Sequence, residues 1–302
     1  MKNRPKILVV LGPTATGKSE LATQLAKKFN GEVISADSRQ VYKGMNIGTG
    51  KVTKKEMRGV AHHLLNVRSP KKVFTVADYK KLATEATEKI VRKKKLPIIC
   101  GGTGLYIQSI VDDLSIPDVP RNLQLRKRLE DKSVEELFEK LKKLDPRRAR
   151  KIDSRNRVRL VRAIEITKTL GVVPKLRLKQ NKNYEFLQIG LNLERENLRE
   201  KIETRLLRRL KMGMVAEVKR LKKSGVSWSR LYDLGLEYRF VVSYLRGRIT
   251  KKEMTNKLTT AINQSAKRQM TWFKRDKRVK WFDPKETGKI DSEAMRFLKN
   301  KN

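Results

Sequence analysis

The segment at residues 12–19 most constrains how this chain can fold. Its sequence, Gly-Pro-Thr-Ala-Thr-Gly-Lys-Ser, fits the phosphate-binding pattern G-x-x-x-x-G-K-[ST]. The apolar run at residues 6–11 predicts a buried strand before this loop, and residues 19–29 predict a helix after it. A strand, a glycine-rich loop and a helix in this order indicate an α/β fold built on a parallel sheet.

The chemistry of this loop suits an anionic ligand, although a glycine turn without a ligand is the alternative. Its glycines let successive backbone N–H groups turn inward, and the helix N-terminus adds partial positive charge. Lys18 supplies a point charge for a phosphate oxygen, and Ser19 supplies a hydroxyl ligand for Mg²⁺. The sequence therefore predicts a di- or triphosphate bound by Gly12, Pro13, Thr14, Ala15, Thr16, Gly17, Lys18 and Ser19.

Strands and helices continue to alternate up to about residue 114. Further strands are predicted at residues 32–36, 61–67 and 96–100, and a helix at about 75–95. Ligands of such parallel sheets bind at the carboxyl ends of the strands. We therefore expect the phosphate loop, Asp37 and Thr103 at the same rim of the sheet.

The character of the sequence changes near residue 115, after which a basic helical section follows. Residues 121–182 contain 21 Lys and Arg against 8 Asp and Glu. Helices are predicted there near residues 123–130, 133–144 and 157–170. The sequence predicts a helical insertion at 115–184 between core segments at 1–114 and 185–302.

The second core segment is predicted to return to the sheet. Strands are expected at residues 185–191 and 279–282, with long helices at about 195–224, 238–246 and 251–275. The tail from Asp283 is expected to be peripheral.

Net charge and cysteine content restrict the classes of protein to which this chain can belong. The net charge of +41 favours a partner with a polyphosphate backbone, because each neutralised phosphate releases counterions; a solvated lysine-rich surface is the alternative. Cys100, the single cysteine, excludes a disulfide framework and favours a reducing compartment.

No apolar run is long enough to span a bilayer, and the chain enters its first strand at once. We therefore expect a cytoplasmic protein without a signal peptide.

Two polar residues at the predicted rim are candidates for chemistry. Many nucleoside-triphosphate hydrolases end a later strand with an Asp for Mg²⁺, but the strand before Gly101 ends without an acid. Asp37 instead follows the second strand, where it can accept a proton from a group beside the phosphates; capping a turn is the alternative. For Thr103 the alternative is an N-cap of the following helix.

Three motifs beyond the loop resemble those of the tRNA dimethylallyltransferases, or tRNA isopentenyltransferases. They are Asp-Ser-Arg-Gln-Val-Tyr-Lys-Gly-Met-Asn-Ile-Gly-Thr-Gly-Lys at 37–51, Gly-Gly-Thr-Gly-Leu-Tyr at 101–106 and Ala-Lys-Arg-Gln-Met-Thr-Trp-Phe at 266–273. Their order and spacing match over roughly residues 6–282. The resemblance implies an α/β fold, a P-loop parallel sheet flanked by helices, with an inserted helical domain that binds tRNA.

The resemblance also implies a reaction. A dimethylallyl group passes from dimethylallyl diphosphate to N6 of the adenosine on the 3′ side of the tRNA anticodon, and diphosphate leaves. Lys18, the loop N–H groups, Mg²⁺ held by Ser19, and Arg126 would stabilise the leaving group. Asp37 would accept the N6 proton, and Thr103 would orient the diphosphate or the reacting centre.

The acceptor base must leave the stack of the anticodon loop to be modified. For the segment at 158–162 the alternative is amphipathic packing, with Val158, Val161 and Ile164 facing a core. The residues that the resemblance places against tRNA are Asp37, Ser38, Arg39, Gln40, Val158, Arg159, Leu160, Val161, Arg162, Lys267 and Arg268.

The chain departs from the family pattern in a few places. The family commonly has Thr-Arg-x-Tyr before Ala-Lys-Arg-Gln, and here Asn263 and Ser265 replace the Arg and the Tyr. The usual Gly-Tyr-Arg/Lys motif has Glu237 at the glycine position. His62 and His63 match a family position, and we expect both to be structural. The departures bear on RNA recognition rather than on the reaction.

Three other functions share some of these features. An adenylate isopentenyltransferase has the phosphate loop and the Asp37 region, but it does not need a basic insertion. The other two alternatives are a kinase or ATPase with RNA affinity and a non-catalytic RNA-binding module. Either of them would explain only the phosphate loop and the net charge. We expect a monomer; the sequence does not specify which tRNAs are modified.

Overall fold

A parallel sheet forms the centre of the computed structural model, which describes residues 4–174 and 181–300. Its six strands are β1 (Lys6–Leu11), β2 (Gly31–Ser35), β3 (His62–His63), β4 (Leu96–Gly101), β5 (Glu185–Leu191) and β6 (Val279–Phe282). They lie in the order β3-β2-β4-β1-β5-β6, and every pairing is parallel. The predicted α/β fold class with a parallel sheet is confirmed.

Helices cover both faces of the sheet, which is why β1 is apolar without alternation. In chain order the helices are α1 (Lys18–Lys28), α2 (Lys54–Met57), α3 (Val76–Arg92), α4 (Gly104–Val111), α5 (Leu123–Arg128), α6 (Val134–Leu144), α7 (Pro146–Ala149), α8 (Arg157–Leu170), α9 (Arg195–Lys211), α10 (Met214–Lys223), α11 (Trp228–Asp233), α12 (Leu236–Leu245), α13 (Lys251–Phe273) and α14 (Thr287–Lys299). Among the described residues, no helix is long and apolar enough to cross a membrane.

The described chain divides into two compact units. One comprises residues 4–113 and 181–300 and contains the sheet; the other comprises residues 114–174 and contains α5 to α8. The second unit has its own small core, in which Leu137, Leu141, Leu160 and Ile164 are fully buried. Part of the predicted insertion, residues 175–180, lies outside the described residues.

The third strand is much shorter than the predicted 61–67. Only His62 and His63 pair with β2. Leu64 and Asn66 then adopt positive φ values of 63° and 58°, which extended strands do not allow. The apolar pattern of this segment therefore reflects packing in a loop rather than a strand.

The predicted helix at 195–224 is two helices instead of one. Gly213 separates α9 from α10 with a φ of 97°, in the left-handed region that glycine adopts without a Cβ clash. The chain turns there, so that α10 packs back against α9. A further helix, α11, precedes α12, and this helix was not predicted.

The tail from Asp283 is not peripheral, contrary to the sequence expectation. It forms α14, whose Ile290 and Ala294 are fully buried. These two residues are four positions apart and so lie on one helix face, which packs with α1 on one side of the sheet. The last helix is therefore part of the core.

Candidate active site

The phosphate loop leaves the end of β1 in a conformation that only glycine fits well. A Cβ atom on Gly12 would lie 2.5 Å from the carbonyl oxygen of Leu191, so the loop passes against the backbone at the end of β5. Gly17 then begins α1 with a φ of 88°. The loop therefore presents its backbone and Lys18 at the N-terminus of α1, where anions are favoured.

A pocket lies at the carboxyl ends of the strands, as expected for a parallel sheet. Its lining brings together the loop, the turn after β2, the end of β4 and helices from the second half of the chain. The polar side chains that face it include Thr14, Lys18, Ser19, Asp37, Arg205 and Gln269. Sequence segments more than 200 residues apart thus form one site.

Lys18 is the central cation of this pocket. Its Nζ donates a hydrogen bond to the Pro13 carbonyl. Desolvation by the surrounding protein, with the nearby Arg205 guanidinium adding to it, lowers the pKa of Lys18 to about 8. A bound anion would offset both effects, so the pocket is electrostatically prepared for a phosphate group.

Asp37 caps a turn and also lines the pocket. Its Oδ1 accepts the backbone N–H groups of Arg39 at 2.8 Å and Gln40 at 3.3 Å. Both hydrogen bonds use the same carboxylate oxygen. Asp37 therefore caps the turn, as the alternative interpretation expects. Because Asp37 also lines the pocket, this capping is compatible with a carboxylate that accepts a proton there.

Thr103 stands at the N-cap position of α4, but its side chain does not cap the helix. Its Oγ1 instead accepts the backbone N–H of Ser38 at 3.0 Å. The N-cap alternative for the hydroxyl is therefore wrong, because the hydroxyl faces the neighbouring turn rather than the helix backbone. Thr103 connects the end of β4 to the turn that contains Asp37.

Arg205 of α9 is a pocket residue that the sequence did not single out. Its guanidinium lies 3.5 Å from Thr14 Oγ1 and 3.3 Å from the Gly50 carbonyl oxygen. Burial lowers the pKa of Arg205 to about 10, and the adjacent Arg209 contributes to this. Arg209 in turn pairs with Glu237 at 3.1 Å. Arg205 therefore adds a second cation beside the phosphate loop.

Glu217 is another residue that the sequence did not indicate, and it holds the loop that follows Asp37. Its carboxylate accepts backbone N–H groups from Asn46, Ile47 and Gly48 at 2.7–3.0 Å. The hydroxyl of Tyr238 donates to the same carboxylate at 2.8 Å. Glu217 is only 2% exposed, so these bonds satisfy a buried charge and fix the loop.

The residues predicted to contact tRNA in the first unit lie around this site. Arg39 approaches Gly235, and Gln40 lies 3.4 Å from the Gly50 carbonyl oxygen. Lys267 lines a larger cavity of about 840 Å³ between α9 and α13, which Pro13 also lines, and Arg268 is exposed on α13.

The remaining candidates belong to the second unit. Arg126 donates to both oxygens of Glu165, at 2.6 and 2.7 Å, and Arg162 lies 3.3 Å from the same carboxylate. Burial raises the pKa of Glu165, but the Arg126 contact outweighs it and lowers the pKa. Arg126 is thus held in a fixed bidentate pair.

The amphipathic alternative for the segment at 158–162 is partly wrong. Val158 is 74% exposed, whereas Leu160 and Ile164 are fully buried. Val161 packs against that core, and Arg159 is exposed. The buried face of α8 is offset from the predicted one, which leaves an apolar and a basic side chain on the surface.

The two histidines have different surroundings. His63 Nε2 lies at hydrogen-bond distance, 2.7 Å, from a carboxylate oxygen of Glu32, which agrees with a structural role. His62 lines the pocket, and its Nδ1 lies 3.0 Å from the Val60 carbonyl oxygen. Burial lowers the pKa of His62, which favours its neutral form.

Comparison with known proteins points to one family. The family model described as IPP transferase matches residues 40–276. The tRNA dimethylallyltransferase of Anoxybacillus flavithermus is 41% identical over 281 residues, which cover 92% of this chain and 90% of the relative. The tRNA dimethylallyltransferase 2 of Treponema denticola is 44% identical over 279 residues, which cover 91% of this chain and 93% of the relative.

Solved structures agree with the sequence relatives. The full-length tRNA isopentenylpyrophosphate transferase from Bacillus halodurans superposes with a TM-score of 0.73 at 35% identity, covering 97% of this chain and 96% of that one. A eukaryotic dimethylallyltransferase acting on tRNA has a TM-score of 0.77 at 26% identity, covering 97% and 77%. The chain therefore shares both sequence and fold with these enzymes over nearly its whole length.

Proposed function

The chain belongs to the IPP transferase family, and we propose on this basis that it transfers a dimethylallyl group from dimethylallyl diphosphate to tRNA. The acceptor is N6 of the adenosine on the 3′ side of the anticodon, and diphosphate is released. The observation that carries this proposal is the single pocket in which Lys18 and Asp37 lie together. Lys18 and the loop suit a diphosphate, and Asp37 offers a carboxylate for a proton.

The proposed chemistry is substitution at the allylic carbon. The N6 nitrogen forms a bond to this carbon while the carbon–oxygen bond to diphosphate breaks, and negative charge develops on the leaving oxygen. Lys18 and the loop N–H groups stabilise that charge. Arg205 contributes a second cation at the same loop, since its guanidinium lies beside Thr14. The carboxylate of Asp37 takes the proton that N6 loses.

The residues present fit a magnesium ion brought in with the diphosphate. Among the described residues, no group of three or more His, Cys, Asp or Glu is placed to hold a metal. Mg²⁺ needs few protein ligands when phosphate oxygens and water complete its shell, and Ser19 offers a hydroxyl beside the loop. Bound there, the ion would neutralise charge on the leaving diphosphate.

The acceptor side of the proposal is the anticodon stem-loop. Ser38, Arg39 and Gln40 form the turn capped by Asp37, and this turn would receive the flipped base. Lys267 and Arg268 of α13 would also contact the RNA, and Arg159 and the neighbouring surface of α8 in the second unit would do the same. The roles of Thr103 and Arg126 in orienting or stabilising the diphosphate stay predictions.

A monomer in the cytoplasm is part of the same proposal. All the residues proposed to act on the diphosphate and on N6 come from one chain, and its single cysteine is compatible with a reducing compartment.

The test is a product analysis. The purified protein is incubated with Mg²⁺, dimethylallyl diphosphate and unmodified tRNA, and the digested nucleosides are examined by mass spectrometry. We expect an adenosine heavier by one dimethylallyl group, absent with Lys18→Ala. Modified free AMP would instead indicate an adenylate isopentenyltransferase, and Lys18-dependent ATP hydrolysis a nucleotide-binding kinase or ATPase.

A further inference from the structure

The side-chain amide of Gln269 connects two loops of the pocket. Its Oε1 accepts the backbone N–H of Thr14 at 3.0 Å, and its Nε2 donates to the Gly102 carbonyl oxygen at 3.0 Å. A carboxamide has one acceptor end and one donor end, and here each end meets the complementary backbone group. No other natural side chain of this length and neutral charge can make both contacts.

The fit of α13 against the turn after β4 explains two of the glycines there. A Cβ atom on Gly102 would lie 2.6 Å from Gln269 Nε2, and one on Gly104 would lie 2.2 Å from the Trp272 ring. Gln269 and Trp272 are one helical turn apart and present the same face of α13. The motifs at 101–106 and 266–273 are therefore two sides of one contact.

The turn after β4 is also fixed to the end of β2. The backbone N–H of Thr103 donates to the Ala36 carbonyl oxygen at 3.1 Å, and Thr103 Oγ1 accepts the Ser38 N–H at 3.0 Å. Ala36 and Ser38 flank Asp37 in the sequence. A continuous series of hydrogen bonds thus runs from the phosphate loop, through Gln269 and Thr103, to both neighbours of Asp37.

We propose that Gln269 is a positioning residue that fixes the phosphate loop relative to Asp37. It acts through the Thr14 N–H and the Gly102 carbonyl oxygen, and it does not itself act on the reacting atoms. This inference rests on the proposed function, in which the leaving diphosphate and the N6 proton acceptor must be held at a set separation. A misplacement of about 1 Å between reacting groups is enough to lower a rate about 100-fold.

The test compares Gln269→Leu, Gln269→Glu and a control, Asn256→Leu, an exposed amide side chain of the same helix. Leu fills similar space and loses both hydrogen bonds. Glu keeps an acceptor for Thr14 but places a carboxylate oxygen against the Gly102 carbonyl oxygen. We expect both Gln269 variants to lower kcat by about 10- to 100-fold. The KM for dimethylallyl diphosphate should change much less, and Asn256→Leu should behave as the wild type.

Two further measurements separate positioning from simple support of the fold. The melting temperature of Gln269→Leu should stay within a few degrees of the wild type. Amide hydrogen exchange of the peptide covering residues 12–16 should become faster in this variant, because the Thr14 N–H loses its acceptor. Loss of kcat that merely follows a large loss of melting temperature would make Gln269 structural and overturn the proposal.

The outcomes also distinguish this inference from the proposed function. An inactive wild-type protein would contradict the proposed function, and loop exchange would then still decide whether Gln269 holds the loop. An active wild type with an equally active Gln269→Leu would overturn the positioning role and leave the proposed function intact. Unchanged amide hydrogen exchange at residues 12–16 would overturn the positioning role whether or not the wild type is active.

Discussion

Thr103 Oγ1 accepts the backbone N–H of Ser38 at 3.0 Å, so a side chain at the end of β4 holds the turn after β2. Thr103→Val keeps the shape of the side chain and removes this acceptor. An N–H left without a partner costs about 1–3 kcal/mol where it is buried, and the turn that carries Asp37 should loosen. We expect turnover to fall about tenfold or more, measured as initial rates with saturating tRNA.

Thr103→Ser is the matched control, because it retains the hydroxyl. Its rate should stay within a few-fold of the wild type, and the thermal melting of both variants should be compared. Equal rates for Thr103→Val and the wild type would show that neither the Ser38 contact nor the hydroxyl itself matters for the reaction.

Asp37→Asn separates the two functions of the Asp37 side chain. The Asn oxygen can still accept the N–H groups of Arg39 and Gln40, so the turn should persist. It cannot take the N6 proton at neutral pH, and we expect single-turnover rates to fall about 10²- to 10⁴-fold. tRNA binding, measured by filter retention, should change only a few-fold.

Asp37→Ala removes both the base and the turn cap. It should be at least as slow as Asp37→Asn and should also weaken binding of the RNA. A rate for Asp37→Asn near that of the wild type would exclude Asp37 as the proton acceptor.

Arg126→Lys tests whether the bidentate pair with Glu165 supports only the second unit. Lys keeps the positive charge but cannot donate to both carboxylate oxygens as a planar guanidinium does. We expect a stability loss of roughly 1–3 kcal/mol, measured by urea unfolding, because Glu165 is only 1% exposed. We also expect the turnover rate of the variant to fall by a larger factor than its fraction of folded protein does. A loss of stability alone would make Arg126 structural.

Local patterns predicted the elements that depend on neighbouring residues. The phosphate loop, β1, β5 and β6 follow from apolar runs and glycine positions, and they have the predicted bounds or nearly so. The prediction for β3 was wrong because Leu64 and Asn66 leave the extended region of the backbone, which the apolar pattern does not reveal. The expectation that the tail is peripheral was wrong because Ile290 and Ala294 of α14 pack in the same core as α1, a contact between opposite ends of the chain.

The pocket residues contributed from distant helices could not be recognised in the same way. Arg205 lies on α9 among several other basic residues, and its contacts with Thr14 and Gly50 at the pocket distinguish it. Glu217 lies in a helix whose charged residues look solvated in sequence, yet it is buried with four hydrogen-bond donors. Such roles depend on packing between segments far apart in the chain, for which a single sequence carries no signal.

The buried carboxylate of Glu32 and its partners His63, Lys93 and Lys95 predict that the free energy of unfolding depends on pH in the acid range. Burial raises the pKa of Glu32, but hydrogen bonds from His63, Lys95 and Lys93 outweigh it and hold the pKa at about 2. The folded-state pKa is therefore below the unfolded value of 4.5. Stability from this carboxylate is fully present above pH 4.5 and is lost as the pH falls towards 2.

Glu32→Gln should remove this contribution. Urea unfolding across the acid range should show a smaller loss of stability for the variant than for the wild type, and the two curves should converge as Glu32 becomes protonated. Curves that stay parallel through this range would show that the partners of Glu32 do not lower its pKa.

The net charge of +41 predicts that tRNA binding weakens steeply with salt. Each phosphate neutralised by Lys or Arg releases counterions, and a protein with six or more such contacts loses about 10³-fold in affinity between about 50 and 200 mM salt. Arg159 is exposed on α8, in a segment predicted to contact tRNA. Arg159→Ala should weaken binding at low salt and reduce the slope of log K against log salt by about one.

Lys299→Ala, at the exposed end of α14, is the control for the salt experiment. It removes the same charge from a part of the chain with no predicted RNA contact, so its slope should equal that of the wild type. Equal slopes for all three proteins would exclude a phosphate contact by Arg159. A flat response for the wild type would mean that the basic surface does not hold the RNA backbone, and recognition would then rest on contacts to the flipped base and its neighbours.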